Sequence, residues 1–184
     1  MNILQSIQQL DGEILLLIQQ YLRTDMLTPF MKSVTFLGNG GWFWILCSVV
    51  LLAVPKTRKT GYAAALSLIF GAIVTNLLLK NIVARPRPFA EIAALIPMIT
   101  KPKDFSFPSG HTTASFAVAL VMLRMLPKKF GIPAVVLAAL VAFSRLYLGV
   151  HYPTDVLTGF VIALVGSMLS VWIVRTKPED KQVH

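Results

Sequence analysis

Four stretches of this chain, residues 61–79, 112–123, 130–144 and 156–174, carry no charged side chain, and an earlier one, 42–54, is equally bare. In lipid a backbone N–H or C=O finds no solvent partner, so apolar runs of this length must close their hydrogen bonds internally, as helices. Strands are not expected. At about 1.5 Å of rise per residue the first run nearly crosses a hydrocarbon core of about 30 Å. The shorter runs need flanking residues, 109–113 and 145–147, to complete a span. Hydrophobic residues make up 55% of the 184, charged ones 14%, and the mean hydropathy is +0.70, too apolar for a soluble domain of this size. These features predict an all-α, polytopic membrane helix bundle of five or six transmembrane helices.

The first forty residues fit that plan less simply, because Arg23, Asp25 and Lys32 interrupt the apolar pattern. Residues 3–22 are expected to form an N-terminal amphipathic helix lying in the interface. Residues 26–37 form either a second short helix or part of a sixth span, ended by Gly38-Asn39-Gly40-Gly41, whose glycines permit positive φ. Whether this region crosses the membrane or lies on it stays open. Trp42 and Trp44 sit where an interfacial aromatic belt would place them. The start of the chain has acids at Asp11 and Glu13, no basic region and no small-residue cleavage pattern, so no removable leader is expected. One domain, 1–184, is expected: N-terminal interfacial helices over 1–40, a transmembrane core over 41–175 and a cytoplasmic tail over 176–184. Cys47, the single cysteine, lies in an apolar run and reads as a small core residue.

The formal charge of +9 could suggest nucleic acid, but the Lys and Arg residues fall at segment ends instead of along one amphipathic face. Nucleic acid is therefore not an expected partner. Alternating five helices across the bilayer puts residues 55–60, 126–131 and the C-terminal tail on one side. Lys56, Arg58, Lys59, Lys128, Lys129, Arg175, Lys177 and Lys181 fall there, which the positive-inside rule makes cytoplasmic. The opposite, outward side receives residues 85–109 and 146–155. It also holds Arg85, Arg87, Lys101 and Lys103, so the bias is clean only if some of these cations serve chemistry.

The polar residues on that outward side form three blocks. In the first, Lys80 ends a span and Arg85-Pro86-Arg87-Pro88 follows, each proline pushing its predecessor out of helical geometry. Alone, these cations could equally be snorkelling helix-end charges. In the second, Pro108-Ser109-Gly110-His111 opens the next span, where free N–H groups and the helix dipole suit a phosphate, although an ordinary helix cap would look the same. In the third, Ser144-Arg145 closes a span, and His151 is followed by Pro153 and Asp155. Pro153 fits the first helical position, so Asp155 in the first turn could reach back to His151. A carboxylate on one ring nitrogen fixes the tautomer and leaves the other nitrogen nucleophilic.

Lys80 with six intervening residues to Arg87-Pro88, then Pro108-Ser109-Gly110-His111, then Ser144-Arg145 with five residues to His151 and three more to Asp155, together resemble the type 2 phosphatidic acid phosphatase (PAP2) superfamily. No motif position departs from its pattern, and the layout suits its small bacterial membrane members. The resemblance implies a metal-independent phosphatase without a cofactor. In it His151 would attack phosphorus to give a phosphohistidine, Asp155 would orient that ring, and His111 would protonate the leaving oxygen and then activate water. Lys80, Arg87, Arg145, Ser109 and the Gly110 amide would hold the phosphoryl oxygens. Acids are sparse and no paired carboxylates accompany the histidines, which agrees with the absence of a metal site. Arg85 lies outside the matched positions and is expected to be a headgroup or membrane-surface cation, with a role behind the site as the lesser alternative. Lys101, Lys103 and Asp104 are expected in a solvated loop, and His184 is given no role.

A site at lipid depth needs a substrate whose phosphate rests at the surface while its tail stays in hydrocarbon, which means a lipid phosphate. Among the substrates that the resemblance implies, undecaprenyl diphosphate is favoured, being available on the outward side, and the loop over 85–109 is too short for an added domain. Phosphatidylglycerophosphate, phosphatidic acid and lipid A phosphates are alternatives. A vanadate-dependent haloperoxidase would share the anion cradle, but those relatives are soluble. A non-catalytic lipid-phosphate binding or transport protein would not require the His151–Asp155 pair. The expected setting is the bacterial inner membrane, with membrane lipids around the chain, no obligatory protein partner and the site facing outward.

Overall fold

A computed structural model describes residues 3–176; the end of the tail, with Lys177, Lys181 and His184, lies outside the described residues. Among the described residues the regular structure is helical: α1 (Ile3–Tyr21), α2 (Leu27–Leu37), α3 (Trp42–Ala53), α4 (Arg58–Ala72), α5 (Lys80–Val83), α6 (Pro88–Glu91), α7 (Gly110–Met125), α8 (Lys128–Tyr147) and α9 (Pro153–Thr176). A π-helical stretch, Ile73–Leu79, runs α4 into α5 without a break. Three helical paths are long and apolar enough to cross a membrane, namely Pro55–Glu91, Lys128–Tyr147 and Pro153–Thr176. Leu27–Leu37 with Asn39–Ala53 passes as a fourth, bent by 44°. The segment that could have been a separate short helix or part of a span is thus one limb of this bent path.

The helix α7, only 16 residues long, falls short of that length. It sits at the centre, packed on α3, α4, α8 and α9. Its small side chains make this possible: Ala117, Val118, Ala119 and Val121 have no exposure, and small residues let helix backbones approach closely in lipid. The outer helices turn large apolar groups the other way. Leu157, Val161, Val165 and Trp172 on α9, and Ile45 and Val49 on α3, are exposed, as a hydrocarbon solvent allows.

Two turns bring consecutive helices into contact. Gly61 on α4 lies so close to α3 that a Cβ there would stand 2.5 Å from the Leu52 nitrogen, and one at Gly131 on α8 would stand 2.5 Å from Leu123 Cα on α7. The helix ends then alternate: the start of α7, the end of α8, the start of α9 and the end of the α4–α5 path all meet at one face of the bundle.

The amphipathic helix expected at the N-terminus is α1. It buries Leu15 and Ile18, exposes Ile3, Ile7, Leu10 and Leu17, and packs on α8 and α9. Gln19 bonds the Ala94 carbonyl and the Ile96 amide, while Arg23 donates to the Ile96 and Tyr147 carbonyls. The helix therefore lies across the loops at the face where the polar residues gather.

Because the contact at Gly61 is with backbone, it cannot yield as a flexible side chain would. Gly61→Val is expected to cost about 1–3 kcal/mol. Thermal unfolding in detergent should show it as a midpoint several degrees lower, with no such drop for Val50→Ala on the lipid-facing side of α3.

Candidate active site

After α8 the chain turns at Gly149, whose φ of +72° suits glycine, and re-enters helix at Pro153. That short turn places His151, 2% exposed, beside Asp155, which has no exposure, in the first turn of α9. Asp155 Oδ2 accepts from Tyr152 N at 2.9 Å and from Ser106 Oγ, and lies 3.4 Å from His151 Nδ1. Its Oδ1 accepts from Arg85 at 2.9 Å. With Nδ1 turned to a carboxylate, that nitrogen carries the proton and Nε2 keeps a lone pair. Arg87 approaches Nε2 at 3.3 Å.

The His151 ring is held well below the usual imidazole range, at about 4. Burial is the largest cause, the Arg145 and Arg87 charges add to it, and the opposing pull of Asp155 does not compensate. At neutral pH the ring is therefore uncharged, the form a nucleophile requires.

A cavity of about 890 Å³ opens in front of it, lined by Lys80, Arg87, His111, Arg145 and His151 at one end. The expected cations are thus gathered together. Arg87 is anchored by the Asp104 and Val150 carbonyls at 2.8 and 2.7 Å. Arg145, 3% exposed, donates to Thr35 Oγ1 at 2.7 Å, while its Nε has no partner among the described residues. A buried N–H without an acceptor is costly, so this donor calls for an anion. Asp104 lies in an exposed loop, as expected, and from there pairs with both Arg87, at 2.7 Å, and Lys80. Burial alone would raise its carboxyl, but the two cations outweigh that and hold it down at about 2.

The second histidine reaches the same cavity from α7. Ser109 caps that helix, its Oγ accepting from Thr112 Oγ1 at 3.0 Å. It is wholly buried behind the cavity wall, whereas Gly110 and His111 line it. His111 Nε2 lies 2.9 Å from Asn39 Oδ1. A Cβ at Gly38 would come within 2.6 Å of the His111 ring, so that position admits only glycine without displacing the imidazole. Gly40 and Gly41, at φ +58° and +69°, let the segment fold back against α7.

Arg85, expected at the membrane surface, stands behind the site at 16% side-chain exposure, bridging Asp155 and Asp11. The motif spacing also gave no hint of Ser106, Asn39, Thr35 or Asp11. The only available signal was proximity, since Asp104 and Ser106 immediately precede Ser109. Among the described residues no group of three His, Cys, Asp or Glu side chains is placed to hold a metal ion. The polar end of the cavity continues between α3 and α4, where Ile45, Val49, Leu52, Leu68 and Ile69 line it.

Known proteins are similar to this chain in sequence and in fold. The family model for the PAP2 superfamily matches residues 60–179. An undecaprenyl-diphosphatase of Sulfolobus acidocaldarius is 36% identical over 148 residues, covering 79% of this chain and 71% of that protein. Undecaprenyl-diphosphatase BcrC of Bacillus subtilis is 37% identical over 142 residues, 76% of this chain and 71% of that protein. The crystal structure of a transmembrane PAP2-type phosphatidylglycerolphosphate phosphatase from Bacillus subtilis superposes with a TM-score of 0.77 at 28% identity, covering 96% of this chain and 90% of that one.

The His151 environment has a direct spectroscopic consequence. In 15N NMR of histidine-labelled protein, with His151→Asn for assignment, the ring is expected to stay a neutral Nδ1–H tautomer from about pH 8 to about pH 5. It should gain a proton only near 4. A midpoint near 6.5 would show that burial does not govern it.

Proposed function

This chain belongs to the PAP2 superfamily of membrane phosphatases, and from that premise we propose that it hydrolyses undecaprenyl diphosphate to undecaprenyl phosphate through a phosphohistidine at His151. His151 Nε2 attacks the terminal phosphorus, a P–N bond forms, and the P–O bond to the lipid phosphate breaks. His111 gives its proton to the departing oxygen. It then takes a proton from a water that attacks the phosphohistidine, releasing inorganic phosphate and restoring His151. Asp155 orients the nucleophile throughout. Lys80, Arg87, Arg145 and the Gly110 amide hold the phosphoryl oxygens, while Ser109, buried behind the wall, accepts from Thr112 and caps the helix that carries Gly110 and His111. Charge spread over those oxygens is stabilised by preorganised cations in a site shielded from water, and no metal ion is called upon.

The observation that carries this reading is the convergence of two imidazoles and three cations on one cavity, with the first ring braced by a buried carboxylate. The apolar continuation of that cavity between α3 and α4 suits a lipid tail. The choice of substrate follows two relatives named undecaprenyl-diphosphatases. A phosphatidylglycerophosphate or phosphatidic acid phosphatase is the second reading, favoured by the name of the structural relative. The proposed setting is the bacterial cell membrane with the site on the extracytoplasmic face, because Lys56, Arg58, Lys59, Lys128, Lys129 and Arg175 all lie at helix ends remote from it.

Purified protein in detergent with chelator present should release phosphate from undecaprenyl diphosphate faster than from phosphatidylglycerophosphate or phosphatidic acid. The reverse order would move the assignment to glycerolipids. His151→Ala is expected to lower turnover by at least about 10³-fold. Retained turnover in that variant would remove the phosphohistidine step.

A further inference from the structure

The family match begins at residue 60, yet one side chain that reaches the site comes from far upstream. Asp11 on α1 is 2% exposed, a buried carboxylate on a helix whose other buried residues, Leu15 and Ile18, are apolar. Its Oδ1 accepts from Thr154 N at 3.0 Å, and its Oδ2 accepts from Arg85 at 2.8 Å and from the Thr154 hydroxyl. Arg85 extends its other terminal nitrogen to Asp155 Oδ1 at 2.9 Å and to Thr154 Oγ1 at 2.7 Å, with the guanidinium stacked 3.7 Å above the Tyr152 ring. Unlike Lys80, Arg87 and Arg145, Arg85 does not line the cavity. A cation so placed cannot serve as a phosphate ligand.

The geometry points to Asp11 and Arg85 as positioning residues for the nucleophile, an inference that rests on His151 being that nucleophile. Three donors, Ser106, Tyr152 N and His151, share Asp155 Oδ2, whereas Arg85 alone among the described side chains occupies Oδ1. The torsion that turns a carboxylate about its Cβ–Cγ bond is broad and has no sharp staggered wells. Arg85 therefore supplies the constraint that keeps Oδ2 aimed at the imidazole. Its planar fork allows one guanidinium to address two carboxylates in fixed directions, which an ammonium cannot do. Asp11 balances the charge and stops the fork from swinging away, so α1 sets the nucleophile's orientation as well as resting on the loops.

The test is steady-state release of phosphate from undecaprenyl diphosphate in detergent, with inorganic phosphate as competitive inhibitor to report on the cation cradle. Arg85→Ala is expected to lower kcat about 10- to 100-fold while KM and the phosphate Ki stay within about twofold, because orientation is lost and binding is not. Asp11→Asn, which keeps the shape, should give a smaller fall in the same parameter, and Arg85→Lys should recover part of the Arg85→Ala loss. The double variant Asp11→Asn/Arg85→Ala should be no slower than Arg85→Ala alone, since Asp11 acts through Arg85. An unchanged kcat, a loss confined to KM and phosphate Ki, or additive losses in the double variant would overturn the inference. Should Arg85→Ala fail to fold, Asp11→Asn and Arg85→Lys carry the same comparison. His151→Ala separates the two levels: turnover retained there defeats the nucleophile assignment, whereas an inactive His151→Ala beside a fully active Arg85→Ala defeats the positioning role alone.

Discussion

A carboxylate without any exposure sits at the mouth of a bundle built for lipid, and Asp155 is tolerable there because Arg85, Ser106, His151 and the Tyr152 amide all donate to it. A buried ion costs several kcal/mol unless its lone pairs are met, and removing one partner leaves the charge uncompensated. Three separate stretches of chain must therefore arrive together for any one of them to be stable in place. Their backbones repeat the tie, Ser106 N bonding the Arg85 carbonyl at 2.9 Å and Ser109 N the Asp155 carbonyl at 3.1 Å. The start of α7, the start of α9 and the proline-rich segment after α5 are locked into one unit, and both histidines and two of the cradle cations project from it or from its edges.

The rest of the bundle serves two solvents at once. Toward lipid it needs only apolar bulk and closed backbone hydrogen bonds, which explains why large residues on α3 and α9 are freely exposed. Toward its own interior, lipid gives no hydrophobic drive for helix association, so close packing must supply it. α7 meets that demand with alanines and hydroxyls, and Gly159 on α9 lets the last helix lie against the Ser109 carbonyl, where a Cβ would stand at 2.8 Å. The same small residues that hold the core together thus set the depth at which Ser109 and His111 sit.

The parts of this design legible in the sequence are those that local chemistry dictates. Charge-free runs mark helices, Pro86 and Pro88 end a span, Pro153 begins one, and the spacing from His151 to Asp155 follows from the first turn of α9. The illegible parts depend on contacts between distant segments. Asp104 and Arg87 meet only because the loop over residues 92–109 folds back, and Asp11 and Asp155 share Arg85 across nearly the whole chain. No periodicity encodes such pairings. The first forty residues are ambiguous for a related reason: a 44° bend divides one apolar helical path between α2 and α3, so neither half shows a full apolar span. Arg85 was misplaced because a cation beside prolines at a span end looks the same from the sequence whether it faces headgroups or a buried carboxylate.

The two histidines differ in what holds them, and the difference suits the roles proposed for each. His151 is paired with a fixed negative charge, which favours the positive charge an imidazole acquires when its other nitrogen bonds to phosphorus. His111 is paired with the amide of Asn39, a neutral group that presents an oxygen to a protonated nitrogen and an NH2 to a bare one. Such a partner can stay bonded to the ring whether or not that nitrogen carries a proton, which suits a group that must both give and take one. A carboxylate in place of Asn39 would hold the proton on His111 and oppose its release to the leaving oxygen. The glycines around Asn39 have the same logic: Gly38 leaves room for the ring, and Gly40 and Gly41 bend the α2–α3 connection so that an amide, with no charge to bury, can be delivered to it.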